Sequence, residues 1–113
     1  MATSSATMTF FAEQLKRLEL GTITYRKMFG EYGVYMNGMI FALACDDRLF
    51  VKVKHLEDNV VDTLFGNREQ PFQGANGYSE ISGDEIEDLD ALELRVRTVI
   101  ATLPAPKPKK KRA

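Results

Sequence analysis

The chain has 113 residues, enough for one domain with a single core and too few for two. Hydrophobic residues make up 44% of it, and no apolar run approaches the roughly 18 residues that cross a bilayer, which excludes a membrane-spanning protein. The net charge of −1 combines an acidic body with a basic tail, and Cys45 is the single cysteine, so we expect a cytoplasmic protein without a disulfide.

The first predicted element is an amphipathic helix over residues 9–20, preceded by a disordered N-terminus at residues 1–7. Gly21 stands where a left-handed C-terminal cap would follow the helix. The apolar residues recur at spacings of three and four, as on one face of a helix. They are Met8, Phe11, Leu15 and Leu18.

Residues 23–53 predict an antiparallel meander. Residues 23–29 read as an edge strand, and Asn37-Gly38 suits a two-residue type I′ turn between two further strands. The strand over residues 39–45 is apolar on both faces, so we expect cover on both faces of the sheet or pairing with another copy. After a turn at residues 46–48, residues 49–53 alternate as if one face meets solvent.

The second half predicts a short helix over residues 56–64, a strand over residues 78–81 and a C-terminal helix. Helix starts are indicated by Ser82 with Glu85, and more strongly by Asp90 with Glu93, where two leucines suit a hydrophobic staple. The last buried stripe is Leu92, Val96, Ile100 and Leu103. We therefore predict a two-layer α+β domain over residues 8–103, followed by a disordered basic tail at residues 104–113.

Several short motifs resemble the N-terminal domain of the TfoX/Sxy family over residues 8–103. They are RKMFG at 26–30, YGVY at 32–35, FA at 41–42, Asp47 and LFVKV at 49–53. The resemblance implies a bacterial protein with an α+β fold of the secretion-chaperone-like type. It also implies a link to regulators of competence genes that work with the cyclic-AMP receptor protein. Since no second, helical domain fits after residue 103, the resemblance is to single-domain members and implies no DNA-binding role.

Two basic surfaces are candidate nucleic-acid contacts. On the sheet, Lys52 and Lys54 could share a face with Arg26, Lys27, Tyr32, Tyr35 and Phe50, combining charge with aromatic stacking; a solvated face is the alternative. The tail carries Lys107, Lys109, Lys110, Lys111 and Arg112. With five cations, the logarithm of the binding constant should fall with the logarithm of the salt concentration with a slope no steeper than about −4.5, so we expect the tail alone to bind weakly. The alternative is that the tail is a solubilising end.

The remaining polar residues suggest structural roles. The glycines at 30, 33 and 38 are expected in turns and close packing, and Cys45 is expected to be buried and inert beside Asp46 and Asp47. His55 is the single histidine, which leaves no histidine pair for a metal or a triad. The acidic residues at 80–93 are expected near helix N-termini, with attraction of a basic partner as the alternative.

The leading hypothesis is a non-enzymatic protein that acts through protein contacts, with a transcription factor as partner. Self-association into a homodimer is also expected, because it would cover the doubly apolar strand at 39–45 and the exposed strand edges. The alternative is an accessory nucleic-acid binder that uses the tail and the basic sheet face. An enzyme would require an unrecognised carboxylate site. We therefore expect no catalytic residue, metal or cofactor.

Overall fold

The computed structural model describes residues 3–28, 31–66 and 68–103. It confirms the α+β class, with an N-terminal helix, a five-stranded antiparallel sheet and C-terminal helices. The elements are α1 Ser5–Arg17, β1 Ile23–Met28, β2 Glu31–Met36, β3 Met39–Cys45, β4 Arg48–Lys52, α2 Asp58–Leu64, β5 Tyr78–Ile81, α3 Gly83–Glu87 and α4 Leu89–Ile100. The strand order in the sheet is β1-β2-β3-β4-β5, so the meander is confirmed. None of the helices in the described ranges is long and apolar enough to cross a membrane.

Two tight turns set the register of the central strands. Met36 pairs with Met39 across Asn37-Gly38, whose φ angles of 52° and 84° fit the predicted type I′ turn. Cys45 pairs with Arg48 across Asp46 and Asp47, which also have positive φ. The second turn is therefore one residue shorter than predicted, and Arg48 already belongs to β4.

The larger core lies between the helices and one face of the sheet. A register shift beside Val34 leaves Phe41 without a paired residue on β2, and both Phe41 and Ala42 are buried in this core. Helices α1 and α4 supply Met8, Phe11, Ala12, Leu15, Leu92, Val96 and Val99. The stripe predicted for the first helix is buried in full. Of the stripe predicted for the last helix, Leu92 and Val96 are buried, whereas Ile100 and Leu103 only pack against the core and Val99 takes an interior position that was not predicted.

The opposite face of the sheet, here called the outer face, carries a second and smaller apolar cluster. Leu43, Cys45 and Phe50 are buried there, and Ala75 and Tyr78 pack against them. Residues 68–77, here called the covering segment, contribute Ala75. Strand β3 is therefore covered on both faces within one chain. The expectation that β4 exposes one face to solvent is wrong, because Phe50 is only 2% exposed.

Helix α1 begins four residues before the predicted start. The Ser4 hydroxyl accepts a hydrogen bond from the Thr7 N–H (3.1 Å) and caps the helix. The proposed domain boundary at residue 8 consequently falls inside α1. The C-terminal cap is also different, because Glu19, with a φ of 54°, takes the left-handed conformation predicted for Gly21. Gly21 instead provides space, since an added Cβ would lie 2.6 Å from the Met36 sulfur.

Of the two helix starts predicted in this region, one is confirmed and the other is wrong. Ser82 and Glu85 form the predicted capping box of α3. The second start was predicted wrongly, because the carboxylate of Asp88 accepts the N–H groups of Asp90 (3.1 Å) and Ala91 (3.2 Å). Asp90 thus lies in the first turn of α4, and Leu94, 52% exposed, makes no buried staple.

Gly77 provides a test of packing at the start of β5. Its φ is +81°, and an added Cβ would lie 2.5 Å from Cβ of Lys54 and 3.3 Å from its Cα. We expect Gly77→Ala to lower the free energy of unfolding by about 2–4 kcal/mol, because left-handed strain and overlap add. Urea denaturation followed by circular dichroism measures this change.

Gly38→Ala is the matched control, since Gly38 has a φ of +84° but no described atom within 4 Å of the added Cβ. Gly38→Ala should lower the free energy of unfolding by only the cost of the left-handed conformation, about 1–2 kcal/mol. Equal losses in the two variants would contradict the role given to the contact with Lys54.

Candidate functional site

The predicted basic platform on the sheet does not assemble as expected. Lys52 lies half-buried at the end of β4, opposite Tyr78 on β5, and Lys54 is exposed beyond the strand. Phe50 is 2% exposed and Tyr32 is 9% exposed, so neither ring can stack on a base. Tyr32 is also part of the helix-side core rather than the outer face.

The register explains why these residues separate. Tyr32 and Lys27 are paired neighbours on β1 and β2, and side chains of paired residues share one face. Lys27 therefore lies on the helix side with Tyr32, whereas Arg26 pairs with Gly33 and lies on the outer face. Alternation in the sequence shows which residues of one strand share a face, but the pairing register decides which faces of neighbouring strands coincide. The five tail cations lie outside the described residues, so their contribution stays a prediction.

Arg48 organises the charged part of the outer face. Its Nη2 lies 3.0 Å from Glu69 Oε1 and 2.7 Å from Glu80 Oε1, and its guanidinium lies 4.8 Å from the centre of the Phe50 ring. The hydrogen bond to Glu80 is the main cause that raises the Arg48 pKa above its usual range. Sequence reasoning missed this cluster because the acidic partners lie 21 and 32 residues from Arg48. Arg48 thereby joins the covering segment to β4 and β5.

A cavity of about 380 Å³ lies on the outer face beside the covering segment. Its walls are mostly apolar and include Met28, Leu43, Cys45 and the half-exposed Phe72. Gly33 keeps the neighbouring sheet surface flat, because an added Cβ would lie 3.1 Å from the Met28 methyl. The structural role predicted for Gly33, close packing under a bulky neighbour, is therefore confirmed.

Glu31 is the carboxylate at this cavity, and its position is fixed by three donors. Its Oε1 accepts hydrogen bonds from the Thr3 N–H (3.0 Å), the Thr3 hydroxyl (2.7 Å) and the Asp46 N–H (3.1 Å). The Thr3 hydroxyl in turn accepts from the Asp47 N–H (3.1 Å). Glu31 thus ties the start of the chain to the strained turn between β3 and β4.

Cys45 has the environment of an unreactive thiol, as predicted. It is 2% exposed, and burial, followed by the charges of Glu31 and Asp46, raises its pKa to about 11. The thiolate, which is the nucleophilic form, is therefore scarce at neutral pH.

Several acidic residues of the stretch at 80–93 take part in ion pairs within the domain. Glu80 pairs with Arg48, and Glu85 pairs with Arg95 at 2.8 Å. Glu93 pairs with Arg97 one turn further along α4 (2.6 Å). In the described ranges, no group of three or more histidine, cysteine or acidic residues is arranged to hold a metal ion. His55 is exposed between β4 and α2.

Strand β1 is the surface that differs most from the rest of the sheet. Thr24, Tyr25, Arg26 and Lys27 are all exposed, and the strand lies at the end of the sheet order. Tyr25 is 39% exposed and packs edge-on against Tyr32, with ring centres 5.7 Å apart. The edge thus presents basic side chains and one anchored aromatic ring.

These features define a small α+β protein whose polar groups mainly hold its sheet, turns and helix caps in place. The TfoX N-terminal domain model matches residues 13–102, and the chain belongs to this family. An uncharacterized 12.7 kDa protein in the trpE 5′ region of Spirochaeta aurantia is 30% identical over 115 residues, which are 97% of this chain and 91% of that protein.

The Cys45 thiol predicts a loss of stability at high pH. Its folded pKa of about 11 lies above the ordinary 9.0, so the unfolded chain ionises first. The stabilisation is present below about pH 9 and is lost as the pH rises through about 11; it amounts to roughly 2–3 kcal/mol. Urea unfolding at pH 8 and pH 11 should therefore show a steeper decline in the wild type than in Cys45→Ala. Equal declines would contradict the assignment.

Proposed function

We propose that this protein is a non-enzymatic, cytoplasmic regulator that acts through contacts with another protein. Membership of the TfoX family supports a role in the regulation of competence or transcription. In this proposal the partner is a transcription factor, of which the cyclic-AMP receptor protein is the first to be tested.

The distribution of polar groups supports a binding role over a catalytic one. A general acid–base or nucleophilic site needs reactive side chains that face one another at an accessible place. Here Glu31 accepts three hydrogen bonds, Cys45 is buried with a raised pKa, and Asp88 caps a helix. His55 is exposed between β4 and α2.

The observation that carries the proposal is the exposed edge of β1. An exposed strand edge carries unpaired backbone groups and is a common place for another chain to bind. The homodimer was predicted from the apolar character of β3 and from exposed strand edges. Cover from α1, α4 and the covering segment accounts for the first of these features only. The β1 edge therefore remains the best structural argument for contact with a partner.

Affinity capture tests the regulatory role. The tagged chain is incubated with a nuclease-treated extract of its native host, and retained proteins are identified by mass spectrometry. We expect a transcription regulator to be retained by the wild type. Retention of metabolic enzymes alone would contradict the proposal. So would the conversion of any compound in a metabolite mixture that occurs only when the protein is added.

The basic tail favours nucleic-acid binding as a second candidate function. The full chain and a chain of residues 1–103 are compared by gel shift with double-stranded DNA at low salt. If the tail binds, only the full chain should shift the DNA, with a log–log salt slope no steeper than about −4.5 because it has five cations. Equal binding by both chains, or binding by neither, would remove the tail from consideration.

A further inference from the structure

The two edges of the sheet are protected to different extents. At the β5 edge, the covering segment forms a bridge in which the Glu69 N–H donates to the Tyr78 carbonyl (2.6 Å). At the β1 edge, no strand from the described ranges pairs with the outer side. The β1 edge is also longer, with six residues against four.

The register shows which backbone groups point outward from β1. The Asn37 N–H donates to the Thr22 carbonyl (2.8 Å), which makes this a hydrogen-bonded pair. Hydrogen-bonded and non-hydrogen-bonded pairs alternate in antiparallel strands, so Ile23, Tyr25 and Lys27 direct their N–H and C=O groups away from β2. No backbone hydrogen bond links these outward groups to the rest of the described structure. Ile23 is buried, whereas the four outward groups of the exposed residues Tyr25 and Lys27 are available to an added strand.

The side chains add a charge preference. Arg26 lies on the outer face and Lys27 on the helix side, and both are exposed. Within the described ranges neither takes part in a salt bridge, whereas Arg48, Arg68, Arg95 and Arg97 all do. An extended segment with acidic side chains would therefore meet a cation on either face of the sheet.

We propose that the β1 edge binds an acidic, extended segment of a partner protein as a sixth strand. This inference rests on the proposed function and specifies the chemistry of the partner. The outward groups of Tyr25 and Lys27 supply the main-chain hydrogen bonds, and Arg26 and Lys27 select acidic side chains. The exposed ring of Tyr25 provides an apolar contact for the neighbouring residue of the added strand.

Two other occupants fit the edge less well. The basic tail of this chain has the same sign of charge as Arg26 and Lys27, and its prolines lack the N–H groups that a ladder needs. A second copy paired through β1 would bring two arginines and two lysines together on adjacent strands, which is unfavourable. Charge complementarity therefore favours a different, acidic chain.

The test uses an eight-residue fluorescein-labelled peptide of alternating glutamate and valine, with a lysine and valine peptide as its control. We expect saturable binding of the acidic peptide to the full wild-type chain in anisotropy titrations up to about 1 mM, and at least tenfold weaker binding of the basic peptide. Absence of acidic-peptide binding, or equal binding of both peptides, overturns the proposal.

Two double variants test the location of the charge preference. Arg26→Glu with Lys27→Glu should weaken binding of the acidic peptide about tenfold or more. Lys52→Glu with Lys54→Glu makes the same change in net charge at the far end of β4 and should alter binding by less than about twofold. A larger effect of the second pair would place the peptide elsewhere and overturn the proposal.

Backbone N-methylation of the peptide tests strand addition directly, with the protein unchanged. In a strand, the N–H groups of the valines point to one edge and those of the glutamates to the other. Methylation of both sets should abolish binding, because no N–H group then remains for the ladder in either orientation of the peptide. Binding that survives methylation of both sets overturns the proposal.

Amide hydrogen exchange by NMR gives the residue-level readout. On peptide binding, the outward N–H groups of Tyr25 and Lys27 should gain protection, whereas Thr24 and Arg26, already in the ladder with β2, should change little. Protection of Tyr25 and Lys27 without peptide, together with a dimer in sedimentation velocity, would assign the edge to a second copy instead.

If the acidic peptide does not bind but affinity capture retains a transcription regulator, only this inference fails and the proposed function stands.

Discussion

Burial of both faces of β3 is the constraint on which the rest of the structure depends. This strand lies in the middle of the sheet, and its apolar side chains must be shielded from water on two sides. The α1 and α4 helices shield one side with a continuous core. The covering segment shields the other with few regular hydrogen bonds of its own. Arg48 therefore matters more for position than for energy: exposed ion pairs are worth little, but this one fixes the segment to the sheet through Glu69.

Features determined by nearby residues were predicted well from the sequence. The turn at Asn37-Gly38, the strand over residues 39–45 and the capping box of Ser82 with Glu85 each depend on residues within a few positions of one another. The stripes of the outer helices also follow from local spacing. The order of helix, meander and helix could therefore be predicted from the sequence. The family resemblance rested on motifs within the predicted meander, at residues 26–53.

Features that depend on distant residues were not accessible in the same way. The start of α1 relies on Ser4 next to Thr3, which is buried through bonds to Glu31, 28 residues away. Burial of Phe50 depends on a covering segment that is distant in sequence. Alternation within β4 could show that Phe50 and Lys52 share a face, but not that the face is covered. The predicted basic platform lost Phe50 for this reason, whereas Tyr32 and Lys27 lie on the opposite face of the sheet.

The edge of the sheet is a better place for a partner to bind than its faces. A strand face can be covered by any apolar segment of the chain, as the outer face is here. A strand edge requires backbone donors and acceptors in register, and the covering segment supplies only the Glu69 bridge beside β5. At β1, exposed Arg26 and Lys27 oppose association with chains that carry a similar basic edge. These charges discourage indiscriminate pairing and still permit an acidic strand, so the edge combines protection with selectivity.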